Sequence, residues 1–168
     1  HGTTYTLTAD VSDAAGNQAT QVTSSSFSVD KTLPTLREVT VVTTPSNNRT
    51  PSYEFNTSKA GTITTNITNG LPSNATVNAG NNIITFNTLP EGTYENKTVT
   101  VTDAAGNTSS LTLETFIIDT TAPTLTAVTQ VPTPSNDTTP SYEFTSSEAG
   151  TITTDITNGL PSNTSVIA

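Results

Sequence analysis

Apolar and polar residues alternate along most of the chain, the period-two pattern of β-strands that bury one face. The alternation is clear at Tyr53 and Phe55, and again at Val99 and Val101. Gly, Pro, Asn and Asp, which favour turns, bound these runs. Between residues 34 and 122 the pattern predicts seven short strands: Leu36–Val42, Ser52–Thr57, Gly61–Ile67, Ala75–Asn78, Ile83–Asn87, Thr93–Thr102 and Ser110–Ile118.

The apolar members of these strands predict a core between two antiparallel sheets. No window places apolar residues three and four positions apart, and Thr, Asn and Gly are poor helix formers, so no helix is predicted. The fold class expected is therefore all-β, a sandwich of short strands. The residues expected to face inward are Tyr53, Phe55, Ile63, Ile67, Ile84, Phe86, Val99, Val101, Leu111 and Leu113.

The sequence contains an internal repeat. Residues 123–168 repeat residues 34–79 with 33 of 46 positions identical, at an offset of 89. Residues 1–33 match the second half of the same unit. A period of this size fits one seven-stranded β-sandwich, which indicates a tandem array. The predicted domains are therefore the C-terminal part of one repeat (1–33), a complete repeat (34–122) and the N-terminal part of the next (123–168).

Two turns carry a specific prediction. The Pro-Glu-Gly turn before Tyr94 places this tyrosine at the start of a strand, where sandwiches put a corner tyrosine whose hydroxyl bonds back to the chain. Tyr5 is its expected counterpart. The segment Asp-Ala-Ala-Gly-Asn at 103–107 predicts a hairpin loop in which Gly106 takes positive φ and the Asp side chain binds nearby amides.

Further motifs carry a resemblance to a known family. They are Asp-Thr-Thr-Ala-Pro at 119–123, its variant Asp-Lys-Thr-Leu-Pro at 30–34, and Gly-Thr-Tyr leading into Val-Thr-Asp-Ala-Ala-Gly-Asn at 101–107. Together they resemble the bacterial immunoglobulin-like (Ig-like) repeats of giant surface adhesins and cell-surface fibres. The resemblance covers essentially the whole chain. It implies a rod of Ig-like sandwiches joined by short linkers, frequently stiffened by Ca²⁺ at the junctions.

The resemblance makes four aspartates candidate Ca²⁺ ligands: Asp30 and Asp119 at the Pro-containing junctions, and Asp103 and Asp13 in the hairpin loops. Calcium takes about six to eight oxygen ligands, few of which are visible in the sequence. The alternative for Asp30 and Asp119 is that each ends a strand and solvates the linker. For Asp103 and Asp13 it is a local side-chain bond to the loop amides, which needs no metal.

Composition narrows the partners. The net charge of −9, pI near 4.1 and five Lys or Arg residues give no electrostatic footprint for nucleic acid or anionic lipid, and make divalent cations the more natural partners. Without cysteine, disulfides and thiolate chemistry are excluded. No apolar run approaches the roughly 20 residues of a membrane span. Direct membrane insertion is therefore not expected.

Catalysis is not expected either. The single histidine, His1, aligns with Glu91, so no histidine-based site recurs between repeats. Glu54 and Glu143 occupy the same position of the two repeats and could in principle act as paired catalytic carboxylates. We interpret them instead as strand residues that face outward. Lys59 aligns with Glu148, so an internal Lys-Asn crosslink would not be repeated.

Asn-X-Ser/Thr triplets are frequent in a chain in which about a third of the residues are Ser or Thr, so chance explains most of them. Asn74 and Asn163 fall in phase and are the best candidates for glycosylation. A glycan there is an expectation only where the host has the machinery.

The architecture, rather than a pocket, indicates the function. Each repeat contacts one neighbour on either side, so such a chain can grow in length without changing its local fold. We expect a stalk or spacer of an extracellular cell-surface adhesin or fibre, whose partners are neighbouring repeats and which can associate laterally or end to end. Two alternatives stay open: repeats that bind carbohydrate or cells themselves, and a strand-exchanged polymer.

Overall fold

The structure is a computed structural model that describes residues 2–71, 75–155 and 165–167. Within these ranges every regular secondary-structure element is a β-strand. No helix there is long and apolar enough to cross a membrane. The prediction of an all-β fold is confirmed. The chain divides into two compact units, His1–Thr120 and Thr121–Ala168.

The first unit begins with four two-residue strands and continues with the strands of the central repeat. In chain order they are β1 (Thr4–Tyr5), β2 (Thr8–Ala9), β3 (Val22–Thr23), β4 (Phe27–Ser28), β5 (Leu36–Thr40), β6 (Ser52–Thr57), β7 (Gly61–Thr65), β8 (Thr76–Val77), β9 (Gly80–Thr85), β10 (Gly92–Tyr94), β11 (Thr98–Asp103), β12 (Thr108–Thr112) and β13 (Phe116–Ile118). The second unit contains β14 (Leu125–Thr129), β15 (Glu143–Ser146), β16 (Gly150–Thr151) and β17 (Ser165–Val166).

Two antiparallel sheets form the sandwich of the central repeat. One has the strand order β5-β6-β9 and the other β12-β11-β7-β8. Their apolar positions make one core, which confirms most of the inward positions expected from the alternation; Leu111 is half-buried and packs against it. The buried apolar residues are Val42, Tyr53, Phe55, Ile63, Ile67, Val77, Ile84, Phe86, Leu89, Val99, Val101, Leu113, Phe116 and Ile118.

The strand predicted over Thr93–Thr102 is wrong as a single element. The chain forms β10 and β11 instead, interrupted near Asn96, whose φ of 54° lies in the left-handed region. β10 pairs with β13, whereas β11 pairs with β7 and β12. The break is needed because the two halves of this segment hydrogen-bond in different sheets.

The strand predicted over Ser110–Ile118 divides for the same reason. β12 begins earlier, at Thr108, and pairs with β11, while β13 pairs with β10. Period-two alternation shows which face of a strand a residue lies on, but not which sheet the strand joins. Both predictions therefore continued a strand past the point where the chain passes from one sheet to the other.

The hydroxyl bond predicted for the corner tyrosine is confirmed, although Tyr94 ends β10 rather than starting a strand. The Tyr94 hydroxyl donates to the backbone O of Pro90 over 2.8 Å, and its ring stacks on Phe116 with centroids 4.8 Å apart. Tyr5 holds the corresponding place, since it pairs with Phe27 in β1 and β4 and stacks on it at 5.7 Å. The local pairing of the repeat is thus reproduced within residues 2–33.

The second unit reproduces the start of the repeat. β14 pairs with β15 in the way that β5 pairs with β6, including a register shift between Ala127 and Thr129 that matches the one between Glu38 and Thr40. This likeness agrees with the sequence repeat. The domain limits 1–33, 34–122 and 123–168 stay predictions.

Candidate functional site

Two of the four candidate aspartates come together around a lysine. Lys59 Nζ lies 2.7 Å from Oδ2 of Asp30 and 2.7 Å from Oδ2 of Asp103. It also donates to the backbone O of Thr32. Asp30 and Thr32 belong to the segment that joins the predicted repeats, and Asp103 ends β11. We call Asp30, Thr32, Lys59 and Asp103 the junction cluster.

Lys59 is positioned by the turn between β6 and β7. The Thr57 hydroxyl, fully buried, donates to the backbone O of Lys59 over 3.0 Å. Gly61 then starts β7 opposite Asp103. A Cβ at Gly61 would lie 2.1 Å from the backbone O of Thr102, so only glycine allows this approach of the two strands. The turn therefore holds the lysine beside the end of β11.

Asp103 is fixed by its own loop. Its Oδ1 accepts from the backbone N of Ala105 and of Asn107, each over 2.9 Å, and Gly106 has a φ of 86°. The Asn107 side chain donates to Asp103 and, over 3.2 Å, to the backbone O of Asp30. The predicted hairpin loop is confirmed, and it adds a second contact between the linker and the repeat.

The charges of the cluster stabilise one another. Hydrogen bonds from Lys59, and then from Asn107, hold the pKa of Asp103 well below its usual range. The bond from Lys59 also lowers the pKa of Asp30. The bonds to Asp103 and then to Asp30 raise the pKa of Lys59. All three groups therefore stay charged near neutral pH.

These pKa directions also bear on crosslinking. Amide formation between a lysine and a carboxyl group needs a neutral amine and a protonated acid, because the amine nitrogen attacks and water leaves. The cluster favours the opposite forms of Lys59 and Asp103. The arrangement is an ion-pair network rather than an incipient isopeptide bond.

Asp13 lies in the equivalent loop of the first residues. Its Oδ1 accepts from the backbone N of Ala15 and Asn17, and Asn17 Nδ2 donates to Oδ2 over 2.8 Å. The hydrogen bonds from Asn17 lower the pKa of Asp13. The structure does not place Asp13 in the junction cluster. The side-chain bonds predicted for this loop account for the aspartate.

Asp119 also lies apart from the cluster. It follows β13, and its backbone N donates to the backbone O of Ser46 over 2.9 Å. The two remaining candidates, Asn74 and Asn163, lie outside the described residues, so their proposed glycosylation stays a prediction.

The junction cluster borders a shallow, open cleft of about 450 Å³. Besides the three charged residues, small side chains line it: Ser28, Ala60, Ala104 and Ala105. Binding pockets for small molecules are usually deeper and lined by aromatic and apolar groups. The cleft is therefore better explained as the groove beside the linker than as a ligand pocket.

The calcium expected from the resemblance does not fit this cluster. Among residues 2–71, 75–155 and 165–167, no three His, Cys, Asp or Glu side chains converge where a metal ion could bind. At Asp30 and Asp103, the two carboxylates already face an ammonium group. Ca²⁺ takes about six to eight oxygen ligands and is repelled by a neighbouring positive charge.

Lys59 is the functional residue that the sequence analysis missed. Its alignment with Glu148 argued against a repeated role, and the chain distance of 29 residues to Asp30 hid the contact. The available signal was the charge reversal itself, since this position carries opposite charges in two repeats that share 33 of 46 positions.

Comparison with known proteins gives one family. Residues 80–161 match the sequence model of the bacterial Ig-like domain (group 3), and residues 2–31 match that of a bacterial Ig-like domain. No curated protein matches the chain significantly. The family resemblance drawn from the linker and loop motifs is thereby confirmed.

Proposed function

Since the chain carries bacterial Ig-like domains, we propose that it is a spacer segment of an extracellular cell-surface adhesin or fibre, which projects a binding tip or forms a filament. Domains of this family are common in surface proteins and are typically structural rather than enzymatic. The proposed location is the cell surface, and the proposed partners are the neighbouring repeats of the same chain.

The junction cluster carries this proposal. Lys59 and Asn107 tie the linker residues Asp30 and Thr32 to the repeat that follows, because both side chains lie at the same end of the β7–β11 pair. A joint held by ion pairs and backbone hydrogen bonds has fewer accessible orientations than a bare linker. Restricting this joint is what a projecting stalk requires.

The side chains that could serve catalysis or sugar binding in the central repeat are occupied by contacts within the repeat. Glu54, the carboxylate considered for catalysis, accepts from the Thr40 hydroxyl over 3.0 Å and from Asn81 over 3.4 Å on the outer face of its sheet. Tyr53, whose aromatic ring could stack on a sugar only if it were accessible, is 1% exposed. These placements favour a structural role over carbohydrate binding by the central repeat.

Small-angle scattering tests the spacer role. Proteins that contain one, two and three copies of residues 30–118, one full period, in tandem should increase in maximum dimension by a constant step for each copy. A maximum dimension that saturates would contradict a stalk. Binding of the same proteins to a glycan array or to cells would support the carbohydrate-binding alternative instead.

A second candidate role is lateral association between fibres. The outer face of the sheet β12-β11-β7-β8 presents hydroxyl side chains in paired rows and, at these described strand positions, no charge. In an acidic chain, a face without charged side chains adds no charge repulsion of its own when two copies meet. Its residues are Thr62, Thr64, Thr76, Thr98, Thr100, Thr102, Thr108, Ser110 and Thr112.

Sedimentation velocity over a range of concentrations tests this role. Thr64→Lys, at the centre of the hydroxyl face, should weaken association, whereas Ile83→Lys on the other sheet should not, although Ile83 is 70% exposed. A wild-type chain that stays monomeric at all concentrations, or association abolished only by Ile83→Lys, would argue against the hydroxyl face.

A further inference from the structure

The ammonium group of Lys59 has a complete set of acceptors. Its three N–H bonds meet Oδ2 of Asp30, Oδ2 of Asp103 and the backbone O of Thr32. These oxygens come from the linker and from the end of β11, so one cation joins two segments distant in sequence. The Asp103 side chain is 4% exposed and that of Lys59 is 20% exposed, which limits screening by water.

We propose that Lys59 is the cation of this junction: a covalently attached ammonium takes the place of a bound divalent metal, so the joint is closed without calcium. This inference deepens the proposed function, because the stiffness of this one joint of the stalk would then be independent of the ions outside the cell. It assigns the ammonium of Lys59 to the place where Ca²⁺ was expected, between Asp30 and Asp103.

The remaining oxygens of the two carboxylates support this assignment. Asp103 Oδ1 accepts two backbone N–H groups, from Ala105 and Asn107, and Asp30 Oδ1 accepts the backbone N–H of Thr32 over 2.9 Å. Each carboxylate therefore turns Oδ1 to backbone amides and Oδ2 to the ammonium, and Oδ2 of Asp103 also accepts from Asn107 Nδ2 over 3.0 Å. A calcium ion would have to displace these donors to reach its usual coordination number.

The charge balance points the same way. Both carboxylates face the same ammonium group, and the surrounding N–H dipoles also favour their charged forms. Removing the ammonium would leave two like charges around one vacated position. The aligned position in the next repeat is Glu148, so this attached cation belongs to the junction before the central repeat and is not a general feature of the array.

Thermal unfolding of the whole chain provides the test, with wild type, Lys59→Met and the neighbouring charge control Lys31→Met. Each protein is measured in EDTA and in millimolar CaCl₂. We expect the wild-type Tm to be the same in both solutions, and that of Lys59→Met to be about 4 °C lower in EDTA. Lys31→Met should behave as wild type. A drop in the wild-type Tm in EDTA would overturn the proposal.

Hydrogen exchange supplies a local readout that global unfolding cannot mimic. The backbone N–H of Thr32, bonded to Asp30, should exchange several-fold faster in Lys59→Met than in wild type, and EDTA should leave the wild-type rate unchanged. An unchanged rate in the variant, or a faster wild-type rate in EDTA, would overturn the proposal. Either result concerns the junction itself and can be told apart from failure of the tandem proteins to lengthen.

Discussion

The hydroxyl of Tyr53 donates to Oε2 of Glu38 over 3.0 Å from a side chain that is only 1% exposed. Tyr53 lies on β6, and Glu38 lies on β5 at the register shift between these strands. Burial, and then the hydrogen bond to Glu38, raise the pKa of Tyr53 well above its usual value. Ionisation would place a second negative charge beside a carboxylate at the edge of the core.

This raised pKa predicts a loss of stability in alkali. Tyrosine in the unfolded chain titrates near pH 10, below the folded pKa, so the contribution of Tyr53 is complete below about pH 10. As the pH rises further, the unfolded state loses the proton first and the free energy of unfolding falls. Urea unfolding measured between neutral pH and the alkaline range should show this decline.

Phenylalanine at position 53 isolates the effect. Tyr53→Phe should make the alkaline decline shallower, while its matched control Tyr142→Phe, at the same phase of the next repeat and 55% exposed, should leave the decline as in wild type. Equal slopes for Tyr53→Phe and wild type would show that another group causes the decline. Tyr94, whose pKa burial also raises, is the first alternative.

The corner hydrogen bond of Tyr94 gives a second prediction. Tyr94→Phe keeps the ring on Phe116 and removes only the bond to the backbone O of Pro90, so it should lower the free energy of unfolding by about 1 kcal/mol. Chemical denaturation with an unchanged m-value would measure this. The control Tyr5→Phe should change stability by less than about 0.5 kcal/mol, because Tyr5 is 45% exposed.

The sequence predicted the fold well where a local rule decided the structure. Alternation identified β6 to the residue, because Tyr53 and Phe55 each need a buried face. Turn chemistry predicted the loop at 103–107, because Asp103 and Gly106 satisfy its amides and its positive φ locally. The alternation pattern failed to predict the strand break at Asn96, because the sheet that each half joins depends on distant partners rather than on neighbours in the chain.

The candidate site was only half predictable for a similar reason. Linker and loop motifs singled out Asp30 and Asp103, but the sequence could not show that the two meet, since 73 residues separate them. Lys59 was weighed only for crosslinking. Its role arises from tertiary proximity, which places one ammonium between both carboxylates.

The repeat offers a matched test of the core. Phe55 is fully buried, whereas Phe144, its counterpart 89 residues later, is only half-buried. Phe55→Ala should lower the free energy of unfolding by about 3–5 kcal/mol, because it leaves a cavity in a packed core. Phe144→Ala should affect the main unfolding transition far less. Similar losses of stability from both substitutions would mean that the Phe55 and Phe144 side chains are equally buried in solution.

Gly61 gives the sharpest steric prediction, because its hydrogen faces backbone. A Cβ there would lie 2.1 Å from the Thr102 O, and both strands β7 and β11 are held by neighbours, so neither can move away freely. Gly61→Ala should lower the free energy of unfolding by about 1–3 kcal/mol, the usual range for overpacking, or more if β7 separates from β11. Shifting this pair also moves Asp103 away from Lys59, so Thr32 exchange should accelerate. The matched control is Gly150→Ala, since a Cβ at Gly150 meets no atom within 4 Å. It should be neutral, and if Gly61→Ala were equally neutral, the close approach that positions the junction cluster would be refuted.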